Sequence, residues 1–235
     1  MILMPYTVDV PMERWPIANW ALMAATVAVS VLAFPAMADE APWEKWMFSG
    51  AGEWWSDAGL LGSTLTHGDI VHLIGNMIFL FVFGNAINAK LGHGLFLSSY
   101  FLLGMLASMA FAAYAGEGAP SLGASGAISG ITGMFIVLYP RNNVSIFFFM
   151  WIIIRPVVRT FQVSAWIVIG AYFAKDLLFQ MLLDAGVMDS GVALMAHLSG
   201  TVAGAALASL LLLTDRVRPN RHEETLLEVL GLQKY

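Results

Sequence analysis

The chain has 235 residues, 59% of them hydrophobic and only 11% charged, with a mean hydropathy of +0.74 and a formal charge of -5. A soluble domain carries about 45–50% apolar and about 25% charged residues, so this composition points to a membrane protein. The negative charge and the lack of a basic stripe exclude a nucleic-acid partner, and the absence of cysteine excludes a disulfide scaffold, a thiol nucleophile and thiolate metal sites.

Six apolar segments read as membrane spans. In chain order they are Ile17–Met37, Ile70–Ile87, Leu95–Ala115, Ser125–Tyr139, Val163–Leu183 and Val192–Leu213. About 20 helical residues cross the roughly 30 Å hydrocarbon core, and five of the six are near that length. The fourth is short, with glycines at its start and Pro140 at its end. It rises only about 22 Å, so one of its ends lies inside the membrane. The fold expected is an all-α six-helix bundle over residues 17–213. Residues 1–16 and the tail 214–235 lie outside it. The run "VSIFFFMWIII", Val144–Ile154, has 11 residues and is closed by Arg155-Pro156. It is too short for a span and is expected as a buried or interfacial segment of the fourth loop. The tail ends in "TLLEVLGLQKY", which suggests a short amphipathic helix.

Positive charges set the orientation. With both termini in the cytoplasm, the inner segments carry Arg14, Lys90, Arg141, Arg155, Arg159, Arg216, Arg218, Arg221 and Lys234, and the outer ones only Lys45. The acidic first loop, Asp39–Asp69, holds Trp43, Trp46, Trp54 and Trp55, which suit interfacial anchoring. An alternative for the N-terminus is a signal peptide cut at the Ala36-x-Ala38 pattern, which would leave five spans and the same core.

Polar groups at membrane depth are costly and are functional candidates. His72 and Asn76 are four apart in the second span and share a face. Ser125 opens the fourth span within Gly123-Ala-Ser-Gly126, and Gly126-x-x-x-Gly130 is also a helix-packing pattern. His197 lies near the outer end of the sixth span, followed by a small-residue stripe of Gly200, Gly204 and Ala208. Each feature alone has a structural reading, as an interhelical hydrogen bond or a packing surface. Together they place a serine, a histidine able to act as base and two donors at similar depth in the outer half. Those are the parts of an acyl-transfer site.

These elements, "HLIGNM", "GASGAISG" and "AHLSGTVAG", resemble those of the rhomboid family of intramembrane serine proteases, in the same order and on the same spans. The resemblance covers roughly Leu65 to Leu213. It implies a catalytic Ser125–His197 dyad with no third acidic member. It also implies an oxyanion hole from the Ser125 N–H with His72 and Asn76, and substrates that are membrane-spanning proteins cut near the outer leaflet. His67 resembles a further family histidine before the second span. No cofactor and no metal site are implied. Two family features are missing: a Trp-Arg pair in the first loop, and an aromatic residue four after the nucleophile, where Ser129 stands. Lys175 and Asp176 in the fifth span are expected to line the cavity or the lateral gate, or else to pair locally or snorkel toward the outer interface. The implied location is a bacterial inner (plasma) membrane, with both termini cytoplasmic. Competing functions are a rhomboid-like protein that binds membrane segments without cutting them, and a small transporter.

Overall fold

The structure, a computed structural model, describes residues 2–38, 62–116, 123–152, 155–187, 194–221 and 223–233. Its elements in order are β1 (Ile2–Val8), α1 (Ile17–Ala38), α2 (Ile70–Leu91), α3 (His93–Ala115), α4 (Ser125–Leu138), β2 (Asn143–Ile152), β3 (Arg155–Ser164), α5 (Ala165–Asp184), α6 (Leu194–Leu213) and α7 (Leu226–Val229). Four of them, α2, α3, α5 and α6, are long and apolar enough to cross a membrane. The apolar stretches of the other two are shorter, Ile17–Ala33 in α1 and Ser125–Leu138 in α4. The expected anchors Trp43, Trp46, Trp54 and Trp55, and the lone outer-loop cation Lys45, lie outside the described residues.

Helix α4 is the centre of the bundle. From Gly126 through Leu138 its residues are buried apart from the half-buried Ser129 and Ile136, as expected of a largely apolar helix. It packs against α3 on one flank and α6 on another. The contact with α6 is made through backbone. A Cβ on Gly200 would lie 2.3 Å from the Gly126 carbonyl oxygen, and one on Gly204 only 1.9 Å from that of Gly130. From the other side, a Cβ on Gly133 would lie 2.1 Å from the Thr201 carbonyl oxygen. Gly126 and Gly130 of the helix-packing pattern meet two helices at once. Their missing side chains point at α3, where a Cβ would meet Ala107 at 2.7 Å and Leu103 at 2.8 Å. Their carbonyls are what α6 touches, and Gly133 is the α4 glycine whose absent side chain α6 requires.

The expectation of an all-α chain is corrected by a three-stranded antiparallel sheet of order β1-β2-β3. It lies at the end of the bundle away from Ser125, because β2 and β3 connect the far end of α4 to α5. The apolar run expected as a buried or interfacial segment supplies β2 as far as Ile152; its last two residues lie outside the described residues. Its valines, isoleucines and aromatics favour a pleated, half-buried surface over a helix. It pairs with β3 from Asn143↔Ser164 to Ile152↔Arg155. On its other side Leu3 to Val8 pair with Phe148 to Val144, with a register irregularity between Pro5 and Thr7. Both edge strands carry a proline, Pro5 and Pro156, as befits strands with one unpaired side. Asp9 fixes the start of β2, accepting from the Asn143 N–H at 2.5 Å and from its side-chain amide at 3.0 Å. Val144 and Ile146 reach the core.

At the same end, Lys90 closes α2 and is almost fully buried between two carboxylates, Glu13 at 2.6 Å and Glu223 at 2.5 Å. One lies before α1 and the other in the tail, so a single ammonium ties both terminal segments to the bundle. The tail itself forms one helical turn, α7, with a Thr225/Glu228 capping box and Leu227 buried.

Helix α2 contains a π-helical turn, Leu80–Gly84. Asn19 of α1 sits against it, its side-chain amide donating to the Leu80 carbonyl at 2.9 Å and to Asn85 Oδ1 at 2.8 Å. Backbone groups displaced by a π-turn need such a partner where no water is at hand.

Two variants test this packing. Gly204→Ala places a methyl group against an immovable backbone carbonyl, so it should destabilise the protein by about 1–3 kcal/mol, the usual cost of overpacking. A melting temperature equal to the wild type would mean that the α4–α6 contact is looser than described. Lys90→Met leaves Glu13 and Glu223 without their cation; removing one partner of a buried ion pair costs about 3–5 kcal/mol. Thermal unfolding in detergent should show it, and an unchanged melting temperature would count against the latch.

Candidate active site

Ser125 is the first residue of α4, so its hydroxyl stands at a helix N-terminus. The first helical bond here runs from the Ile128 N–H to the Ala124 carbonyl at 2.9 Å, so the N–H groups of residues 125–127 have no acceptor within the helix. They carry the positive end of the helix dipole. Gly123 holds the approach to this turn. Its φ of +119° is a conformation that favours glycine, its N–H donates to the Ser63 carbonyl at 2.8 Å, and a Cβ would lie 3.0 Å from the His72 ring.

His197 reaches the same point from α6, with Nε2 2.8 Å from Ser125 Oγ. Its other nitrogen, Nδ1, lies 3.1 Å from Asp176 Oδ2 on α5. The second oxygen of Asp176 is 2.6 Å from Lys175 Nζ. The local Lys175–Asp176 pair expected from the sequence is present, and both residues line the cavity at Ser125. The contact of Asp176 with His197 was not anticipated. It departs from the dyad without an acidic member that the family resemblance implied. A helical signal for it exists: the buried residues of α5 are Ala165, Ile169, Asp176 and Gln180, one stripe at helical spacing, so the aspartate points into the bundle.

His72 and Asn76, both on α2, line the cavity with Ser125 and His197; its volume is about 210 Å3. Asp69 caps α2, accepting from the His72 backbone N–H at 2.8 Å. Asn76 is held from behind by a relay. Its side-chain nitrogen lies 2.7 Å from His67 Nε2, and His67 Nδ1 lies 3.0 Å from Ser30 Oγ in α1. Ser30 has a single hydroxyl proton, and it goes to the Leu65 carbonyl at 3.2 Å. His67 Nδ1 must therefore donate to Ser30, and Nε2 must accept from Asn76. That assignment requires neutral His67. Burial, with a smaller contribution from His72, pushes its pKa down to about 4 against the opposing pull of Asp69. One N–H of the Asn76 amide is thus engaged, leaving the other for the cavity.

Sequence reasoning therefore named four side chains that the structure brings to one cavity: His72, Asn76, Ser125 and His197. Gly123 abuts His72, while Gly126, Gly130, Gly200 and Gly204 lie in the interhelical contacts behind Ser125. Phe79 of α2 and Tyr172 of α5 also line the cavity and meet edge to face at 4.9 Å. Among the described residues no cluster of three or more His, Cys, Asp or Glu is placed to hold a metal ion.

Comparison with known proteins matches residues 51–214 to the model of the Rhomboid domain. Over 99 residues the chain is 35% identical to "Rhomboid protein 1, mitochondrial" of Saccharomyces cerevisiae, covering 40% of this chain and 29% of that protein. It is 36% identical over 109 residues to "RHOMBOID-like protein 12, mitochondrial" of Arabidopsis thaliana, covering 39% and 32%. It is 39% identical over 95 residues to "Rhomboid protease GluP" of Bacillus subtilis, covering 39% and 17%. The chain thus matches about a third or less of the length of each of these relatives. The family model, by contrast, takes in α2 to α6 and every residue of the cavity named above, and the chain is a multi-pass membrane protein of the rhomboid family.

Proposed function

We propose that this protein is an intramembrane serine endopeptidase that hydrolyses peptide bonds of membrane-spanning protein substrates near the outer leaflet. The observation that carries this reading is the 2.8 Å contact between Ser125 Oγ and His197 Nε2 at a helix N-terminus, inside a cavity shared with His72 and Asn76. The name of the B. subtilis relative, a rhomboid protease, agrees with it.

The reaction follows from these groups. Ser125 Oγ attacks the scissile carbonyl carbon as its proton passes to His197 Nε2. The carbonyl oxygen becomes an oxyanion, which the Ser125 N–H, the free Asn76 N–H and His72 stabilise. His197 then gives its proton to the leaving amine, the C–N bond breaks, and an acyl-enzyme remains on Ser125. Water, activated by His197, hydrolyses that ester and returns the serine. The edge-to-face contact of Phe79 and Tyr172 joins α2 to α5 beside the cavity, so parting these helices would admit a substrate from the bilayer side.

In this reading α1–α6 are the six membrane segments, with the short α4 beginning inside the membrane at Ser125, and residues 1–16 and 214–235 lie on the inner side. The excess of Arg and Lys on the segments at the end away from Ser125 supports an orientation with both termini on the inner side, which in a bacterial inner membrane is the cytoplasm. Ser125 then opens toward the outer face.

Purified protein should cut a generic single-span substrate and react with a fluorophosphonate probe at Ser125. Ser125→Ala should lose both activities while melting near the wild-type temperature. Labelling at another residue, or residual cutting by this variant, would sink the assignment. Asn76→Ala and His72→Ala should each lower turnover without moving the cut site. Loss of one oxyanion donor costs about 10²–10³-fold in kcat in a soluble serine protease. Full turnover in both variants would reduce these residues to packing elements.

A further inference from the structure

We propose that Asp176 is a positioning residue for His197, so that Ser125, His197 and Asp176 form a triad spread over three helices, α4, α6 and α5. The inference rests on the protease reading above and extends it to a third residue. It starts from an asymmetry of donors. A carboxylate can only accept hydrogen bonds. The 3.1 Å contact between Asp176 Oδ2 and His197 Nδ1 therefore puts the ring proton on Nδ1. Nε2 is then bare and accepts from the Ser125 hydroxyl at 2.8 Å. That is the tautomer a general base requires. The opposite tautomer would present an N–H to Ser125 and could not take its proton.

The surroundings of Asp176 suit the role. It is 7% exposed and lies on the bundle-facing stripe of α5, with Ile169 one side and Gln180 the other. Lys175 holds its second oxygen at 2.6 Å while its ammonium lies 5.8 Å from the Tyr172 ring and 5.7 Å from that of Phe179. This leaves Oδ2 for the imidazole. A charged carboxylate at this depth needs partners, and it has one on each oxygen. No aromatic residue stands at Ser129 to brace the imidazole ring by contact; the hydrogen bond from α5 orients it instead. When His197 accepts the serine proton, the resulting imidazolium faces an anion across 3.1 Å, which lowers the cost of that charge. Asp176 itself takes no proton during the cycle.

The groups that bear on His197 are Ser125 from α4, Asp176 and Lys175 from α5, and His72 from α2. A pH profile therefore needs to be compared between variants rather than read alone. In lipid nanodiscs, the full chain is assayed as wild type, Asp176→Asn, Asp176→Glu and Ser125→Ala. Readouts are kcat and KM on a single-span substrate, the rate of fluorophosphonate labelling from pH 5 to 9, and melting temperature. Asp176→Asn is close to isosteric and should melt near the wild type. Its kcat should fall by at least about 10²-fold, toward the ~10⁴-fold loss that the equivalent change causes in a soluble serine protease. KM should change little, labelling should slow in parallel, and its pH dependence should shift. Asp176→Glu should recover part of the loss. If Asp176→Asn cuts and labels within about twofold of the wild type while Ser125→Ala is dead, the proposal fails and the protease reading stands. If Ser125→Ala cuts like the wild type, both fail. A measurement on the unmutated protein stands beside these: 15N NMR of labelled histidine, with His197→Gln to assign the signal. Protonated Nδ1 and bare Nε2 at neutral pH support the triad; the reverse tautomer overturns it.

Discussion

The backbones of α4 and α6 touch, and most of the site depends on that contact. Between helices in lipid there is little hydrophobic drive, so association relies on close packing and interhelical hydrogen bonds. Here the packing is carried to its limit. Gly200 and Gly204 rest on the carbonyls of Gly126 and Gly130, and Gly133 rests on that of Thr201. His197 lies just before the first of these glycines, so the same contact that joins the helices sets its ring against Ser125. A misplacement of about 1 Å at a reacting centre can cost about 10²-fold in rate. A backbone contact that a single methyl group would break offers that precision, where a looser side-chain interface would not.

Two hydrogen-bond relays converge on the cavity from opposite flanks. One runs from Ser30 in α1 through His67 to Asn76 in α2. The other runs from Asp176 in α5 through His197 in α6 to Ser125 in α4. Each ends at a group that the proposed reaction uses, and each fixes a histidine tautomer by leaving its far neighbour only one role. Low surrounding polarity strengthens such chains and makes an unsatisfied member expensive. The opposite end of the bundle is held differently, by the Lys90 ion pairs and by the sheet. The anchoring of the chain termini is thereby kept away from the cavity.

Much of the helical part was legible in the sequence because apolar length and glycine spacing are local signals. The expected Ser125 start of the fourth span agrees with α4, and the expected Ile17 start of the first agrees with α1. His72 and Asn76 could be paired by their four-residue separation alone. The sheet was not legible. The run at Val144–Ile154 has no polar alternation to mark a strand; one partner, β3, follows it directly, but the other, residues 2–8, is far away in sequence. Strand formation here is decided by tertiary pairing. The fifth span begins at Ala165 rather than Val163 because the two residues before it belong to β3. Asp176 stood in plain view beside Lys175, and its local pairing was foreseeable. Its reach to a histidine on another helix was not, since no periodicity reports which helices become neighbours.

The central claim is that helix packing presents Ser125 to a base on one side and to oxyanion donors on the other. An experimental structure of the phosphonate-modified protein in a lipid environment tests it most directly. The account predicts phosphorus bonded to Ser125 Oγ, with a phosphoryl oxygen within hydrogen-bond reach of the Ser125 N–H and the Asn76 amide, and His197 on the opposite side of the adduct. An adduct on a different residue, or a phosphoryl oxygen turned away from Asn76 and His72 with α4 and α6 otherwise unmoved, would contradict it.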